Sequence, residues 1–174
     1  MIHGAAGSVG TFAVQFSRWI DAHIIDTASS QNTDFLYEMG VYKVIDYKTI
    51  RFEDVVHDVD IVFDTVGGET LERSWRVLRK GGVLVSISAV RAPSEEKSLQ
   101  VYLQEKGATH GVCATWFIVQ ANRDQLIKIG KLIDSVYVKP VIDMVLPLSQ
   151  AHQAYGRVSN GHVRGKMVLR VGKE

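Results

Sequence analysis

The sequence predicts an α/β fold, a doubly wound parallel sheet with helices on both faces. Three observations predict it. Short β-branched runs alternate with segments of helical period along most of the 174 residues. A Gly-Ala-Ala-Gly-Ser-Val-Gly run at residues 4–10 stands between a strand-like start and an amphipathic helix. Glycine pairs at 67–68 and 81–82 punctuate later units. Alternating βα units of this length imply a parallel sheet, and right-handed crossovers make it doubly wound. Ligands in such sheets bind at the carboxyl ends of the strands, at the switch point.

The elements follow in order. Met1-Ile2-His3 is a short first strand, since strands run to about five or six residues. The expectation is a fragment of a longer protein. Val9, Phe12, Ala13, Phe16 and Ile20 fall on one face of a first helix. His23 to Ala28 is the second strand, and Asn32 to Met39 a helix ended by Gly40. Lys43 to Tyr47 is the third strand, and Arg51 to His57 a helical turn. Asp60 to Asp64 reads as a buried fourth strand. Gly67-Gly68 opens a helix bearing Leu71, Trp75 and Leu78, which Gly81-Gly82 closes. Val83 to Ser88 is the fifth strand, Pro93 to Lys106 a charged surface helix, and Val112 to Val119 the sixth strand. Asn122 and Gln125 suit a capping box for a helix presenting Leu126, Ile129 and Ile133. In the tail, Val141 to Leu148 and Lys166 to Val171 are strand-like and flank a helix with Ala151, Ala154, Tyr155 and Val158 on one side. The βα series offers these two strands no obvious partner.

Composition narrows the function. Twenty basic and 19 acidic residues leave a formal charge of +1 without basic clusters, which argues against a nucleic-acid partner. No apolar run approaches the roughly 20 residues that span a bilayer, and no signal peptide stands at the N-terminus. A cytoplasmic protein is expected. Cys113 is the single cysteine, so no internal disulfide or cysteine-built zinc site exists, and its apolar neighbours suggest a core position. The histidines (His3, His23, His57, His110, His152, His162) have no metal-ligand spacing, and no G-x-S-x-G elbow is present. No metal site is expected, and no residue is singled out as catalytic.

The glycine loop carries the strongest functional signal. Gly4 and Gly7 permit a tight turn and close approach of a pyrophosphate, and Gly10 permits close packing of helix on sheet. N–H groups around Ser8 and Val9 would receive phosphate oxygens, with Ala6 beside them. The competing reading is a glycine turn without a ligand; the strand before and the helix after favour the cofactor.

This loop, with Thr27-Ala28-Ser29, Val44-Ile45-Asp46-Tyr47, Asp64-Thr65-Val66-Gly67-Gly68 and Gly165-Lys166-Met167-Val168-Leu169, resembles the medium-chain dehydrogenase/reductase superfamily. Within it the likeness is to zinc-independent, NADP-dependent quinone oxidoreductases, over most of residues 1–174. The resemblance implies a Rossmann dinucleotide-binding domain at 1–137. It implies that 138–174 is a strand–helix–strand segment returning to a GroES-like catalytic domain missing from this chain, so that its strands would be poorly supported. The implied activity is hydride transfer from NADPH to a quinone or an α,β-unsaturated carbonyl, with this chain alone incomplete for catalysis. The alternative is a non-catalytic nucleotide-binding module or a truncated remnant of such a reductase. A short-chain dehydrogenase is disfavoured, because its Tyr-x-x-x-Lys pair is matched only by Tyr102 and Lys106 in the wrong segment.

NADP is favoured over NAD. The slot at the end of the second strand holds Ala28, followed by Ser29 and Ser30, which leave room and hydroxyl donors for a 2′-phosphate; Tyr47 matches a tyrosine beside that phosphate. Two features oppose this. Asp26, 19 residues after Gly7, could serve as the ribose acid of an NAD site, and no basic residue follows in Ser30-Gln31-Asn32-Thr33. The resemblance further implies contacts from Val66 and Gly67 to the riboses, Ser86 and Ser88 under the nicotinamide ribose, Phe117, Ile118 and Val119 behind the nicotinamide, and Lys166 near the cofactor. It also implies a homodimer joined through the sheet edge at the sixth strand.

Overall fold

A computed structural model describes residues 1–88, 98–161 and 163–172. Six strands form one parallel sheet: β1 (Ile2–His3), β2 (Ile25–Ala28), β3 (Lys43–Asp46), β4 (Val59–Asp64), β5 (Leu78–Ser86) and β6 (Cys113–Trp116). Their order is β3-β2-β1-β4-β5-β6, so the winding reverses at β1. Helices α1 (Gly10–Trp19), α2 (Thr33–Glu38), α3 (Gly68–Ser74), α4 (Leu99–His110) and α5 (Arg123–Asp134) connect or follow the strands. This is the doubly wound α/β arrangement expected, with the switch point beside the glycine loop. β1 needs only two residues to anchor it. Ile2 and His3 pair with Asp26 and Thr27 on one side and with Phe63 and Asp64 on the other.

Burial forms two cores. One gathers Ile2, Ala5, Val14, Ile24 and Leu36 with α1 and α2; the other gathers Val62, Leu71, Trp75, Leu84 and Leu103 with α3 and α4. Several expected faces differ. On α1 the buried positions are Gly10, Thr11 and Val14, whereas Val9 and Ile20 are exposed, because close approach at Gly10 rotates the helix onto its small-residue side. α4 is not a surface helix: Leu99, Tyr102 and Leu103 are buried, Ser98 caps its start by accepting the Val101 N–H, and residues 93–97 lie outside the described residues. α5 is capped as expected, Asn122 Oδ1 accepting the Gln125 N–H at 2.9 Å, but none of its residues is buried.

Two strand readings also change. α3 ends at Ser74, and Leu78, Gly81 and Gly82 belong to β5 rather than to the end of the helix. The two glycines sit beside a shift of register between Val59 and Ile61, and Gly81 N–H bonds Gly111 C=O at 2.8 Å. β4 has outward residues, Asp60 and Ile61 being exposed. β6 stops at Trp116, so Phe117, Ile118 and Val119 lie beyond it and are exposed; Cys113, at its start, is exposed rather than in the core.

In the tail, β7 (Ile142–Pro147) and β8 (Lys166–Arg170) flank α6 (Ala151–Ser159) and pair with each other in parallel. Each is therefore the partner that the other was expected to lack. The unit is tied to the six-stranded part at several points. Gln15 exchanges two hydrogen bonds with the backbone of Lys139, at 3.0 and 2.7 Å, and Gly165 N–H bonds Ala6 C=O at 2.9 Å. Gly165 has φ +70°, and a β-carbon there would stand 2.3 Å from Val141 O, so only glycine lets the chain pass.

Candidate functional site

The glycine loop is shaped by what touches it. Gly4, at φ +78°, accepts the Gly7 N–H at 3.0 Å, and Thr65 Oγ1 donates to His3 C=O at 2.8 Å. At Gly10 a β-carbon would lie 2.2 Å from Gly4 O and 2.5 Å from Ala5 Cα. α1 and the loop therefore meet backbone to backbone, as a dinucleotide cradle requires. The first intrahelical bond runs from Thr11 N–H to Gly7 C=O at 3.0 Å. Ser8, Val9 and Gly10 precede it, so their N–H groups have no helical acceptor and stand available to an anion. α1 carries no acid in its first turn. Lys166, from β8, donates to Ser8 Oγ at 2.5 Å, placing a cation at the same helix start.

Two cavities meet at this loop, sharing Gly4, Gly7, Thr65 and Val66. The larger, about 550 Å³, includes Ala6, Ala28, Ser29 and Tyr47, with Phe52 and Arg73 at its inner wall. The second, about 420 Å³, is lined by Ser8, Val9, Gly10, Ile87 and Ser88. Together they form a cleft across the carboxyl ends of β1, β2, β4 and β5, long enough in its residue order to run from the second strand to the fifth.

The remaining sequence-selected residues divide. Val66 lines both cavities. Gly67 caps α3 and, with Val66, donates its N–H to Asp64 Oδ1, at 2.9 and 3.0 Å. Ser86 is fully buried and donates to Asp64 Oδ2 at 2.7 Å, so it supports the β4–α3 turn from beneath rather than lining the cleft. Ser88 lines the cleft and donates to Val66 C=O at 3.2 Å. Ser30 is exposed beside the larger cavity but does not line it. Phe117 and Ile118 line a separate hollow beyond β6 with Gln100 and Gln125, and Val119 is 81% exposed; none of the three reaches the cleft.

Asp26 corrects the alternative register. It is wholly buried, accepts the Ala5 N–H at 3.3 Å on Oδ1, and lines neither cavity, so it holds the loop from below instead of facing a ribose. Burial pushes its carboxyl up to about 8, against the opposing pull of backbone hydrogen bonds from Ala5 and Thr27. His3 is equally buried. Its Nδ1 is 2.8 Å from Thr27 Oγ1 and its Nε2 is 2.9 Å from Ser74 Oγ, which crosslinks β2 to α3 through β1. Burial lowers its pKa to about 4, partly offset by Asp64.

Several contributors escaped the sequence reading, Arg164, Asn32 and Arg73 among them. Arg164, just before β8, donates from Nε to Asn32 Oδ1 at 2.8 Å and from Nη2 to Gln31 C=O, and lies over the Phe35 ring at 5.4 Å. It therefore brings a guanidinium to the turn following Ser29 from 132 residues away. Asn32 and Arg73 also line the larger cavity. No local pattern flags Arg164, since its partners are remote in sequence. Among the described residues no group of three or more His, Cys, Asp or Glu is placed to hold a metal.

Comparison with known proteins agrees with this architecture. Residues 39–169 match the family described as zinc-binding dehydrogenase. The human mitochondrial NAD(P)H oxidoreductase RTN4IP1 is 31% identical over 187 residues, covering 98% of this chain and 47% of that protein. The chloroplastic NADPH-dependent alkenal/one oxidoreductase of Arabidopsis thaliana is 25% identical over 173 residues, covering 97% of this chain and 39% of that one. The quinone oxidoreductase structure from Coxiella burnetii superposes with a TM-score of 0.88 at 30% identity, covering 98% of this chain and 52% of its own. The chain thus spans about half the length of the curated relatives it matches. With the glycine cradle, the reversal of strand order beside it and the match over 39–169 all in one chain, the protein belongs to the zinc-binding dehydrogenase family of the medium-chain dehydrogenase/reductase superfamily.

Proposed function

We propose that this chain is the NADP(H)-binding part of an oxidoreductase that reduces quinones or α,β-unsaturated carbonyls. The observation that carries the cofactor choice is Arg164. The sequence after Ser29 supplies no cation, yet the folded chain sets the Arg164 guanidinium on Gln31 and Asn32, and Asn32 lines the larger cavity with Ala28, Ser29 and Tyr47. A planar guanidinium suits a phosphate, and the burial of Asp26 removes the acid that would repel one. Asn32 Oδ1 and Gln31 C=O hold the guanidinium in place while leaving donors to spare.

In this reading the pyrophosphate lies on Gly7, Ser8 and Val9 with Lys166 beside it. The adenosine half occupies the larger cavity, and Ile87 and Ser88 flank the nicotinamide half. When bound, the reduced nicotinamide supplies hydride to the acceptor. This chain's residues bind and orient; the groups that complete catalysis come from a GroES-like part, to which residues 138–174 contribute and from which 1–137 is separate. The likeness to quinone and alkenal/one oxidoreductases supports the substrate class. A zinc-independent branch belongs to the same reading, as the sequence resemblance implies. Two copies join at the β6 edge. No helix among the described residues is long and apolar enough to cross a membrane. A cytoplasmic site is our reading, although RTN4IP1 is mitochondrial and the Arabidopsis relative chloroplastic; fractionation of the tagged protein decides it.

Titration of the chain with NADPH and NADH tests the reading. NADPH is expected to bind more tightly, and Arg164→Ala to weaken NADPH by about 10- to 100-fold, the worth of a charge-assisted hydrogen bond or two, with little change for NADH. Equal affinity for both cofactors, or an Arg164→Ala chain that keeps the preference, overturns it.

A further inference from the structure

The inner wall of the larger cavity holds a cation that the cofactor reading does not use. Arg73 lies in the last turn of α3 with its side chain 22% exposed. Its Cζ stands 5.1 Å from the centroid of the buried Phe52 ring, and both residues line the cavity with Thr70. Its ionic contacts are long: Nη1 is 3.5 Å from Glu53 Oε2, and Nε is 3.8 Å from Glu69 Oε1. Nε is buried and has no hydrogen-bond partner among the described residues. Glu53 does not depend on Arg73, because Arg51 already donates to its Oε1 from Nε and Nη2, at 3.0 and 2.9 Å.

A guanidinium offers five donors and no acceptor. One long bond leaves most of these without a protein acceptor beside a 550 Å³ space. Two carboxylates within 4 Å, too long for strong hydrogen bonds, still offset its charge, so the wall asks for a neutral acceptor rather than a second phosphate. The anionic groups of a dinucleotide are already served by the α1 start and by Arg164. What is left is the base.

We propose that Arg73 is the nucleobase-recognition residue of the site, held flat by Phe52 and donating to an acceptor nitrogen of the adenine ring. This rests on the dinucleotide reading above. It adds selectivity for the base, which the glycine loop cannot supply because it touches only phosphate and ribose.

The test pairs a change in the protein with a change in the ligand, so that general damage to the fold cancels. The probes are 2′,5′-ADP and its 1-deaza, 3-deaza and 7-deaza forms, each lacking one ring acceptor. The wild-type chain is expected to bind one deaza form about tenfold more weakly than the parent, the worth of one hydrogen bond. Arg73→Gln is expected to bind that form and the parent alike. Arg73→Lys, which keeps the charge but not the planar fork, also loses the discrimination, and serves should the glutamine variant fold poorly. Equal wild-type binding of all four probes overturns the proposal, as does discrimination that survives in both variants. If the wild-type chain binds neither 2′,5′-ADP nor ADP, the dinucleotide reading itself fails, and that outcome is distinct from the others.

Discussion

At the scale of single residues, Asp26 shows how a position can be selected correctly and given the wrong task. It lies where a ribose acid lies in some dinucleotide folds, but its side chain turns beneath the loop to the Ala5 N–H, and Oδ2 is buried without a partner. A carboxyl held near 8 keeps its proton in the folded chain over a range where the unfolded chain, with an ordinary value of 3.8, has released it. The folded state therefore loses stability relative to the unfolded one as pH rises from about 4 to about 8, and loses no more above that. His3 acts in the opposite sense: lowered to about 4 from 6.5, its contribution is lost as pH falls through that interval. Whole-protein curves thus partly cancel, and a difference between variants isolates the carboxyl. Asp26→Asn keeps an acceptor for Ala5 and carries no charge. Urea unfolding at several pH values should show its stability relative to wild type rising by about 1 kcal/mol per pH unit between pH 5 and 8, then levelling. Parallel curves would mean that Asp26 is charged in the folded chain.

At the scale of elements, periodicity located the helices but misjudged which faces they bury. The α1 stripe Val9, Phe12, Phe16, Ile20 is a genuine apolar row, yet Gly10 decides the packing by admitting a backbone contact that no amphipathic pattern encodes. The converse happened in α4, where charged residues concealed Leu99 and Leu103. The glycine pair at 81–82 was legible as a break but not as a bulge within a strand, because that depends on the neighbouring β4 register. The alternation of strands and helices and the cradle were readable because turn chemistry and periodicity are local. Arg164 and Arg73 were not, since each acts on residues brought near only by the fold. Packing arithmetic separates the helices: Leu103→Ala removes a fully buried side chain from α4 and should cost about 2–5 kcal/mol, while Ile20→Ala, at a position 67% exposed, should stay within about 0.5 kcal/mol. Denaturant midpoints of the two variants, measured side by side, check both values.

At the scale of the whole molecule, two features compete to define the surface. The β7–β8 unit is held to the sheet domain through Gln15, Ala6, Ser8 and Asn32, so it closes over one end of the cleft and carries Arg164 and Lys166 to it. The opposite flank is open. Among the described residues β6 pairs only with β5, and past its end Phe117, Ile118 and Val119 are 55%, 59% and 81% exposed, with Leu126 on α5 at 70%. An unpaired strand edge flanked by uncovered apolar side chains is a template for another chain. A second copy meeting edge to edge would extend the sheet, cover α5, none of whose residues is fully buried, and need to hide about 1,000 Å² or more to be stable. The chain is accordingly expected to sediment as a dimer at tens of micromolar, and Leu126→Lys to shift it to a monomer while leaving the NADPH affinity of the glycine cleft in place. A wild-type chain that is monodisperse and monomeric at that concentration removes the dimer from the account, and leaves the apolar flank of β6 as a surface for a different part of a longer protein.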